Sequence, residues 1–235
     1  MGVYYNITGK HTHQEHAMKI VSFGDIHMAI QQMEKIAVEL ATADLVILSG
    51  DLTHFGGRSD AKRVLDTARS YCPIVLAAPG NVDRPEVITL LQEEGTTLHG
   101  QSRRIGDLGI FGCGGSNITP FCTPLEYQDE ELGAILSQAY AEILSAPLQL
   151  MVCHTPPHAT RLDRLTNGVP VGSLSVRQFI TQYQPHICIT GHIHESPGVD
   201  FIGRTKVLNA GPFSSGGYII IHCKQGAMNA ELKFS

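Results

Sequence analysis

The sequence contains no tryptophan, and aromatic residues make up only 6% of its 235 residues. It has no apolar run long enough to cross a membrane, and residues 1–17 lack the apolar segment of a secretory signal peptide. Its net charge is −5, so nothing indicates a broad basic face for nucleic acid. These shortages argue against a membrane or a nucleic acid as a partner.

Cysteine is present six times, but no two cysteines form a CxxC pair. Cys153 and Cys188 fall inside apolar runs, where cysteine usually acts as a small buried side chain. The pattern therefore indicates a reducing compartment, and not a disulfide framework. We expect a cytoplasmic protein.

Regular patterning begins only at Met18. Residues 1–17 are polar, histidine-rich and aperiodic, which is typical of a disordered extension or the remnant of a tag. Residues 18–235 show no strong break in composition, so we expect a single domain. A domain of this size buries roughly 70–75% of the surface that its unfolded chain exposes.

Short apolar runs alternate with helical patterns along this domain. Strands are predicted at 19–23, 45–49, 73–78, 148–153 and 186–190, and helices at 28–41, 59–71, 84–93, 128–144 and 173–183. This alternation favours an α/β fold with largely parallel central strands buried on both faces. Later segments read as strands joined by tight turns, so two packed sheets flanked by helices are expected. The stretch "FSSGGYIIIHC" suggests an edge strand through which a homo-oligomer could pair.

Side chains that can bind metal follow the carboxyl end of each predicted central strand. They are Asp25 and His27, Asp51, Asn81, His154, and His192 with His194. Ligands of open α/β sheets bind beyond the carboxyl ends of the strands. Four of these motifs begin with glycine, which allows a sharp turn. One such motif is usually a turn or a satisfied core residue, but five at once predict a shared site.

The residue types in this set indicate a metal pair. Asp, Asn and His without thiolates suit Mn, Fe or Zn. Asp25 with His27, and His192 with His194, are each spaced by two, so both side chains of a pair leave an extended segment on one side. Seven donors are too many for one ion. Two ions roughly 3.5–4 Å apart can bind a phosphoryl group and convert water to hydroxide near neutral pH.

The order DxH, GD, GN, H, GHxH resembles the calcineurin-like metallophosphoesterase family, from Asp25 to Glu195. The resemblance implies a four-layer α-β-β-α sandwich with two mixed β-sheets and a binuclear centre. By position, it implies one ion on Asp25, His27, Asp51 and His194, and another on Asp51, Asn81, His154 and His192. Asp51 would bridge the ions. Asp83 would steady a ligand or solvent without touching metal.

Val82 departs from the family pattern. Many relatives read GNHD or GNHE, and their histidine is thought to protonate the leaving group, whereas valine has no proton to give. A positioned general acid is worth about 10²–10⁴-fold. Small bacterial and archaeal relatives with another residue here often favour phosphodiesters, so small phosphodiesters are the expected substrates. Hydrolysis of phosphomonoesters or nucleotides is an alternative, and a non-catalytic protein-binding scaffold is another.

Other loop residues are candidates for replacing the missing acid. His54 and His158 both leave strand ends near the expected metals, and Arg161 could pair with a phosphate oxygen. Each also reads as a loop residue that faces solvent. Asn117 lies in a glycine-rich turn, which rarely needs a functional reason.

Overall fold

The computed structural model describes residues 17–235, so the predicted N-terminal extension lies outside the described residues except for Ala17. Thirteen strands run along this part of the chain. They are β1 Met18–Phe23, β2 Leu45–Ser49, β3 Val75–Ala78, β4 Ser102–Ile105, β5 Leu108–Cys113, β6 Ser116–Asn117, β7 Glu126–Tyr127, β8 Leu148–Cys153, β9 Ile187–Thr190, β10 Gly198–Ile202, β11 Thr205–Asn209, β12 Gly217–Lys224 and β13 Ala227–Phe234.

Most helices begin and end within a few residues of the predicted bounds. They are α1 Gln32–Lys35, α2 Ala37–Ala41, α3 Arg58–Tyr71, α4 Pro85–Glu93, α5 Asp129–Ala141 and α6 Leu174–Tyr183, with a short 3-10 helix at Phe213–Ser215. Local chemistry explains two of the starts. Pro85 occupies the first turn of α4, where its fixed φ suits a helix, and Ser173 Oγ accepts the Val176 amide ahead of α6.

The predicted helix at 28–41 is wrong in its extent. Met28 has a left-handed φ of 65°, which no right-handed helix can contain, and regular helix begins only at Gln32. Ile36 then interrupts the helix with φ −113° and ψ 22°, while its side chain is buried. The demands of the preceding loop and of the core therefore override the helical pattern.

Two mixed sheets form the centre of the fold. The first has the strand order β13-β12-β1-β2-β3, and the second has the order β10-β11-β9-β8-β5-β4. Strands β1, β2 and β3 are parallel, as are β5, β8, β9 and β11, whereas β4, β10, β12 and β13 pair antiparallel. The parallel strands place their carboxyl ends along one edge of each sheet.

Alternating residues of the strands show how the layers pack. In β2, Leu45 and Ile47 join a core that contains residues of both sheets, whereas Val46 and Leu48 join a core shared with the helices α1 to α4. On the second sheet, Phe111 packs in a third core with α5 and α6. Both faces of the parallel strands are therefore buried, as the uninterrupted apolar runs require. The predicted four-layer α-β-β-α sandwich is confirmed.

The prediction that the strand near the carboxyl end lies at the edge of a sheet is wrong. Strand β12 lies inside the first sheet, paired antiparallel to β1 on one side and to β13 on the other. The last strand covers it, with Gly217 opposite Phe234 and Lys224 opposite Ala227. The sequence "FSSGGYIIIHC" therefore offers no free backbone edge for pairing with a second copy of the chain.

Candidate metal centre

The predicted metal-binding side chains lie in loops that follow β1, β2, β3, β8 and β9. Hydrogen bonds join these loops within and between the two sheets. The Asp25 amide donates to the Gly50 carbonyl at 3.0 Å, and the His192 amide donates to a carboxylate oxygen of Asp25 at 3.0 Å. The structure thus brings all seven predicted donors together where the carboxyl ends of both sheets meet.

Four donors form the first group of the cluster. The ligand atoms of Asp25, His27, Asp51 and His194 all lie within 4.8 Å of one another. His194 Nε2 is 3.2 Å from Asp25 Oδ1 and 3.3 Å from His27 Nε2. Such spacing suits donors arranged around one cation, and the mixture of carboxylate and imidazole fits a divalent first-row metal.

A second group forms around the Asn81 amide oxygen. Asn81 Oδ1 lies 2.8 Å from His192 Nδ1 and 3.2 Å from His154 Nε2. His154 Nδ1 donates to the Ser49 carbonyl at 3.0 Å, which leaves its Nε2 facing the cluster. The hydrogen bond to Ser49, the last residue of β2, therefore holds His154 with Nε2, the atom that a metal would need, towards the other donors.

Asp51 lies between the two groups. Its Oδ2 is 3.6 Å from His27 Nε2 in the first group and 3.4 Å from His154 Nε2 in the second. Its Oδ1 accepts the Val82 amide at 3.0 Å, so the carboxylate cannot rotate freely. A single carboxylate is thereby shared by both sets of nitrogen donors.

Electrostatics keep this carboxylate charged. Burial raises the pKa of Asp51, but His154, His27 and the hydrogen bond from the Val82 amide together lower it to about 2. Burial also lowers the pKa of His154, yet the Asp51 charge and hydrogen bond raise it to about 10. Burial lowers the pKa of His192 to about 4, so this imidazole is neutral. A carboxylate that stays charged can bind a cation without first losing a proton.

Unusual backbone conformations concentrate at these donors. Asp25, His27, Asp51 and His192 have φ values of 48°, 44°, 48° and 68°. Left-handed conformations of this kind cost on the order of 1–3 kcal/mol each and persist only where surrounding structure enforces them. The backbone at the cluster therefore lowers the stability of the fold, and the same conformations direct these side chains towards one point.

The glycines before the donors are needed more for space than for turning. A Cβ on Gly80 would lie 1.9 Å from Asp51 Oδ1, although Gly80 has no left-handed φ. Gly50 has a φ of 112°, and its Cβ would also lie 2.1 Å from His154 Nδ1. The sharp-turn interpretation thus holds for Gly50, while Gly80 permits close approach of the neighbouring loop.

Asp83 holds two of the donor-bearing loops in place. Its buried carboxylate accepts the Thr53 amide at 2.8 Å, the Leu52 amide at 3.1 Å and the Gly80 amide at 2.8 Å. The Thr53 hydroxyl adds a fourth bond at 2.7 Å. Burial, with the nearby Asp51 charge, raises the pKa of Asp83 to about 6. The carboxylate binds the backbone that carries the donors, and its expected role of steadying a ligand or solvent stays a prediction.

Replacing Asp83 by Asn should lower the free energy of unfolding by about 3 kcal/mol or more, because at least two buried backbone amides lose their acceptor. Urea unfolding of metal-free protein measures this change. Asp163→Asn is a matched control, since Asp163 is also buried and accepts the amides of Ala159, Thr160 and Gly172. Both variants should lose stability, but only the Asp83 variant should also bind metal more weakly. Unchanged stability in Asp83→Asn would contradict this account.

The orientation of Asn81 depends on a residue that sequence patterns did not reveal. Asn81 Nδ2 donates to Thr123 Oγ1 at 2.9 Å, which turns Oδ1 towards the histidines. The Thr123 hydroxyl in turn donates to Glu126 Oε1 at 2.6 Å. Thr123 lies 42 positions from Asn81 in a loop without a recognisable motif, so no local signal could have indicated it.

Thr123→Val should weaken Mn²⁺ binding about 10–100-fold, because the amide of Asn81 loses the acceptor that orients it. Calorimetric titration of metal-free protein with Mn²⁺ measures this effect. Thr123→Ser keeps the hydroxyl and should retain affinity within about threefold. Equal weakening in both variants would show that the threonine matters for packing and not for orienting Asn81.

The candidate acids occupy different places around the cluster. The His54 ring is exposed and lies 5.7 Å from the His27 ring, measured between centroids. His158 is partly exposed, with Nδ1 3.6 Å from Asp163 Oδ2. Val82 is 9% exposed and, among the described residues, belongs to none of the three apolar cores. His54 is thus adjacent to the first group of donors, and Val82 lies beside Asp51.

Arg161 and Asn117, the two weaker candidates for a role at the site, make contacts with other segments of the chain. The Arg161 amide donates to Asp200, and its exposed side chain is not among the described residues that line the nearby cleft. Nothing therefore places the Arg161 guanidinium at the metal centre. Asn117 Nδ2 donates to the Val171 carbonyl at 3.2 Å, which joins two loops.

A cleft of about 1040 Å³ adjoins the candidate metal centre. We call it the apolar cleft. It is lined by residues 117–121, 128–130, 158, 165–167, 170–172, 174 and 192–195. His192 and His194 belong both to this lining and to the donor cluster, so the cleft opens directly onto the candidate metal-binding side chains.

A family model described as calcineurin-like phosphoesterase matches residues 18–196. The chain belongs to the calcineurin-like phosphoesterase family. The matched segment begins with β1 and contains all seven donors. Membership, together with the group of Asp25, His27, Asp51 and His194, supports a metal-dependent phosphoester hydrolase that binds divalent metal.

Several known proteins are similar to this chain in sequence or in structure. An uncharacterized protein of Methanocaldococcus jannaschii, MJ1162, is 35% identical over 205 residues, which cover 84% of this chain and 89% of that protein. The structure of TT1561 of Thermus thermophilus has a TM-score of 0.67 at 17% identity and covers 92% of this chain and 99% of that one. A dimetal phosphatase from Danio rerio has a TM-score of 0.66 at 13% identity, with coverages of 92% and 96%. At these identities the two solved structures show a shared calcineurin-like fold.

Across residues 17–235, no helix is both long enough and apolar enough to span a bilayer.

Proposed function

We propose that this chain hydrolyses small phosphodiesters at a two-metal centre. The first ion would be held by Asp25, His27, Asp51 and His194, and the second by Asp51, Asn81, His154 and His192. The observation that carries the proposal is the position of the Asp51 carboxylate, which lies 3.6 Å from His27 and 3.4 Å from His154. We propose Mn, Fe or Zn as the metals, because each accepts these oxygen and nitrogen donors.

When bound, two such ions position the phosphoryl group and promote formation of the attacking hydroxide. The chain's own residues prepare the site for this reaction. The hydrogen bond from His154 to Ser49 directs Nε2 inward, and Thr123 directs the Asn81 oxygen inward. In the overall reaction a water oxygen bonds to phosphorus, the bond to the leaving oxygen breaks, and the leaving oxygen gains a proton.

The proposed preference for diesters follows the resemblance to relatives that lack histidine at the position of Val82 and often favour phosphodiesters. The Val82 backbone amide donates to Asp51, but its side chain has no proton for a leaving oxygen. His54 and His158 are the side chains we propose as substitutes, because one contacts His27 and the other lines the apolar cleft. Esters with leaving groups that depart without protonation should depend least on either histidine.

We also propose a cytoplasmic location and a small-molecule phosphate ester as the partner. All six cysteines are free, and five of them are buried. Free thiols at this number are typical of a reducing compartment.

Paired chromogenic substrates test the proposed function. Metal-free protein is reloaded with Mn²⁺ and assayed with bis(p-nitrophenyl) phosphate and with p-nitrophenyl phosphate. The proposal predicts faster hydrolysis of the diester, and loss of that activity in His192→Ala but not in His222→Ala, which changes an exposed histidine on β12. Faster hydrolysis of the monoester would favour the phosphomonoesterase alternative. Protein that binds no ion and hydrolyses neither ester would favour a scaffold.

A further inference from the structure

The wall of the apolar cleft exposes large hydrophobic side chains beside the metal-binding residues. Phe121 is 82% exposed, Ile118 is 55% exposed and Leu174 is 53% exposed. Scattered exposed hydrophobic residues are common, but these three share one concave surface that leads to His192 and His194. A concave apolar surface next to reactive groups is the usual form of a ligand pocket.

The charges that line the cleft disfavour a ligand with an anionic group besides the reacting phosphate. Among the described residues, the lining contains no lysine or arginine, whereas it contains Asp129, Glu130 and Glu195. The Asp129 carboxylate accepts Ser173 Oγ and the Ser175 amide, but Glu130 and Glu195 are exposed. An additional phosphate or carboxylate in the cleft would be repelled by these carboxylates, and no lysine or arginine of the lining would offset that repulsion.

The cleft wall is also fixed in place. Glu126 accepts the Thr119 hydroxyl at 2.6 Å, and the same oxygen accepts the Thr123 hydroxyl that orients Asn81. Asn117 donates to the Val171 carbonyl and joins β6 to the loop before α6. A pocket that is already formed binds its ligand at a lower cost in conformational entropy.

We infer that the apolar cleft binds a hydrophobic ester substituent of a phosphodiester whose only negative charge is on the reacting phosphate. This inference rests on the proposed function, because it places the phosphate at the metal-binding side chains and the substituent beside them. It distinguishes such esters from dinucleotides, nucleoside polyphosphates and other substrates with several anionic groups. The substituent is aryl or alkyl in character, and it is neutral or cationic.

Calorimetric titration of the Mn²⁺-loaded protein with three diesters tests the inference without requiring turnover. Diphenyl phosphate should bind at least about tenfold more tightly than dimethyl phosphate, because a phenyl group buries a large apolar area. Bis(4-carboxyphenyl) phosphate has similar aryl groups with added charge, and it should bind at least about tenfold more weakly than diphenyl phosphate. Equal affinity within either pair would overturn the inference.

A matched pair of surface variants locates the effect. Phe121→Ser should reduce the affinity for diphenyl phosphate about tenfold and leave dimethyl phosphate unchanged. Phe201→Ser changes a phenylalanine that is 61% exposed on β10, outside the cleft, and should change neither. If Phe121→Ser had no effect on diphenyl phosphate, the cleft would not be the binding site.

Turnover of the same esters separates this inference from the proposed function. Selective binding of diphenyl phosphate without hydrolysis of any diester would refute the proposed activity and retain the cleft assignment. A different outcome would refute the cleft assignment and retain the activity. In that outcome, methyl p-nitrophenyl phosphate and phenyl p-nitrophenyl phosphate are hydrolysed with equal kcat/KM, and dimethyl and diphenyl phosphate bind with equal affinity.

Discussion

Asp51→Asn is expected to remove both metal ions, and to lower ester hydrolysis by about a thousandfold or more. The carboxylate of Asp51 contacts both groups of nitrogen donors, at 3.6 Å from His27 and 3.4 Å from His154. Asparagine keeps the size and an oxygen for the Val82 amide, but it removes the negative charge that two cations would share. Metal analysis after dialysis, combined with the diester assay, measures both effects.

Two other variants make this result interpretable. His194→Ala removes a donor from the first group alone, so the first ion should be lost in dialysis while the second stays bound. Asp107→Asn changes an exposed carboxylate in the turn between β4 and β5 and should retain both ions. If Asp51→Asn kept one ion, as His194→Ala is expected to, Asp51 would not be the bridge.

Val82→His should raise the hydrolysis of phenyl phosphate about 10²-fold, the lower end of the effect of a positioned general acid. The same change should alter hydrolysis of bis(p-nitrophenyl) phosphate by no more than about threefold, since p-nitrophenolate leaves without being protonated. The Val82 backbone amide donates to Asp51, so substitution of the side chain retains that contact. Comparison of kcat/KM for the two esters measures the difference.

Val82→Phe is the control, because its ring has a size comparable to imidazole but has no proton to donate. It should raise neither activity. Equal stimulation of both esters by Val82→His would mean that the position affects binding or metal occupancy, and the explanation of the valine as a missing acid would be wrong.

The position of the donor cluster was predictable because it is encoded next to individual strands. Each apolar run marks a buried strand, and the following Asp, Asn or His must lie at its carboxyl end. Parallel strands then bring distant segments together without any knowledge of side-chain packing. Asp25 and His194 are 169 positions apart, yet both follow strands and their side chains lie 3.2 Å from each other.

Features that depend on contacts between loops were not predictable in this way. The link from Asn81 through Thr123 to Glu126 requires one particular loop path, and no residue pattern marks it. The left-handed φ at Met28 likewise follows from the loop that aims Asp25 and His27, and it overrides a helical pattern. The interior position of β12 depends on the register of β13, which alternation alone does not determine.

The glycines before the donors lie where the sequence pattern indicated, but the structure requires Gly80 for a different reason. Their position before each donor suggested sharp turns, but Gly80 is required because Asp51 occupies the space of a Cβ. Packing between neighbouring loops, which the sequence does not display, therefore gives these glycines part of their function.

Anomalous diffraction at the manganese edge, from crystals grown with Mn²⁺, tests the central claim most directly. The account predicts two peaks roughly 3.5–4 Å apart, on either side of the Asp51 carboxylate. One peak should contact Asp25 and His194, and the other should contact Asn81 and His154. A single peak, or peaks that do not contact Asp51, would contradict it.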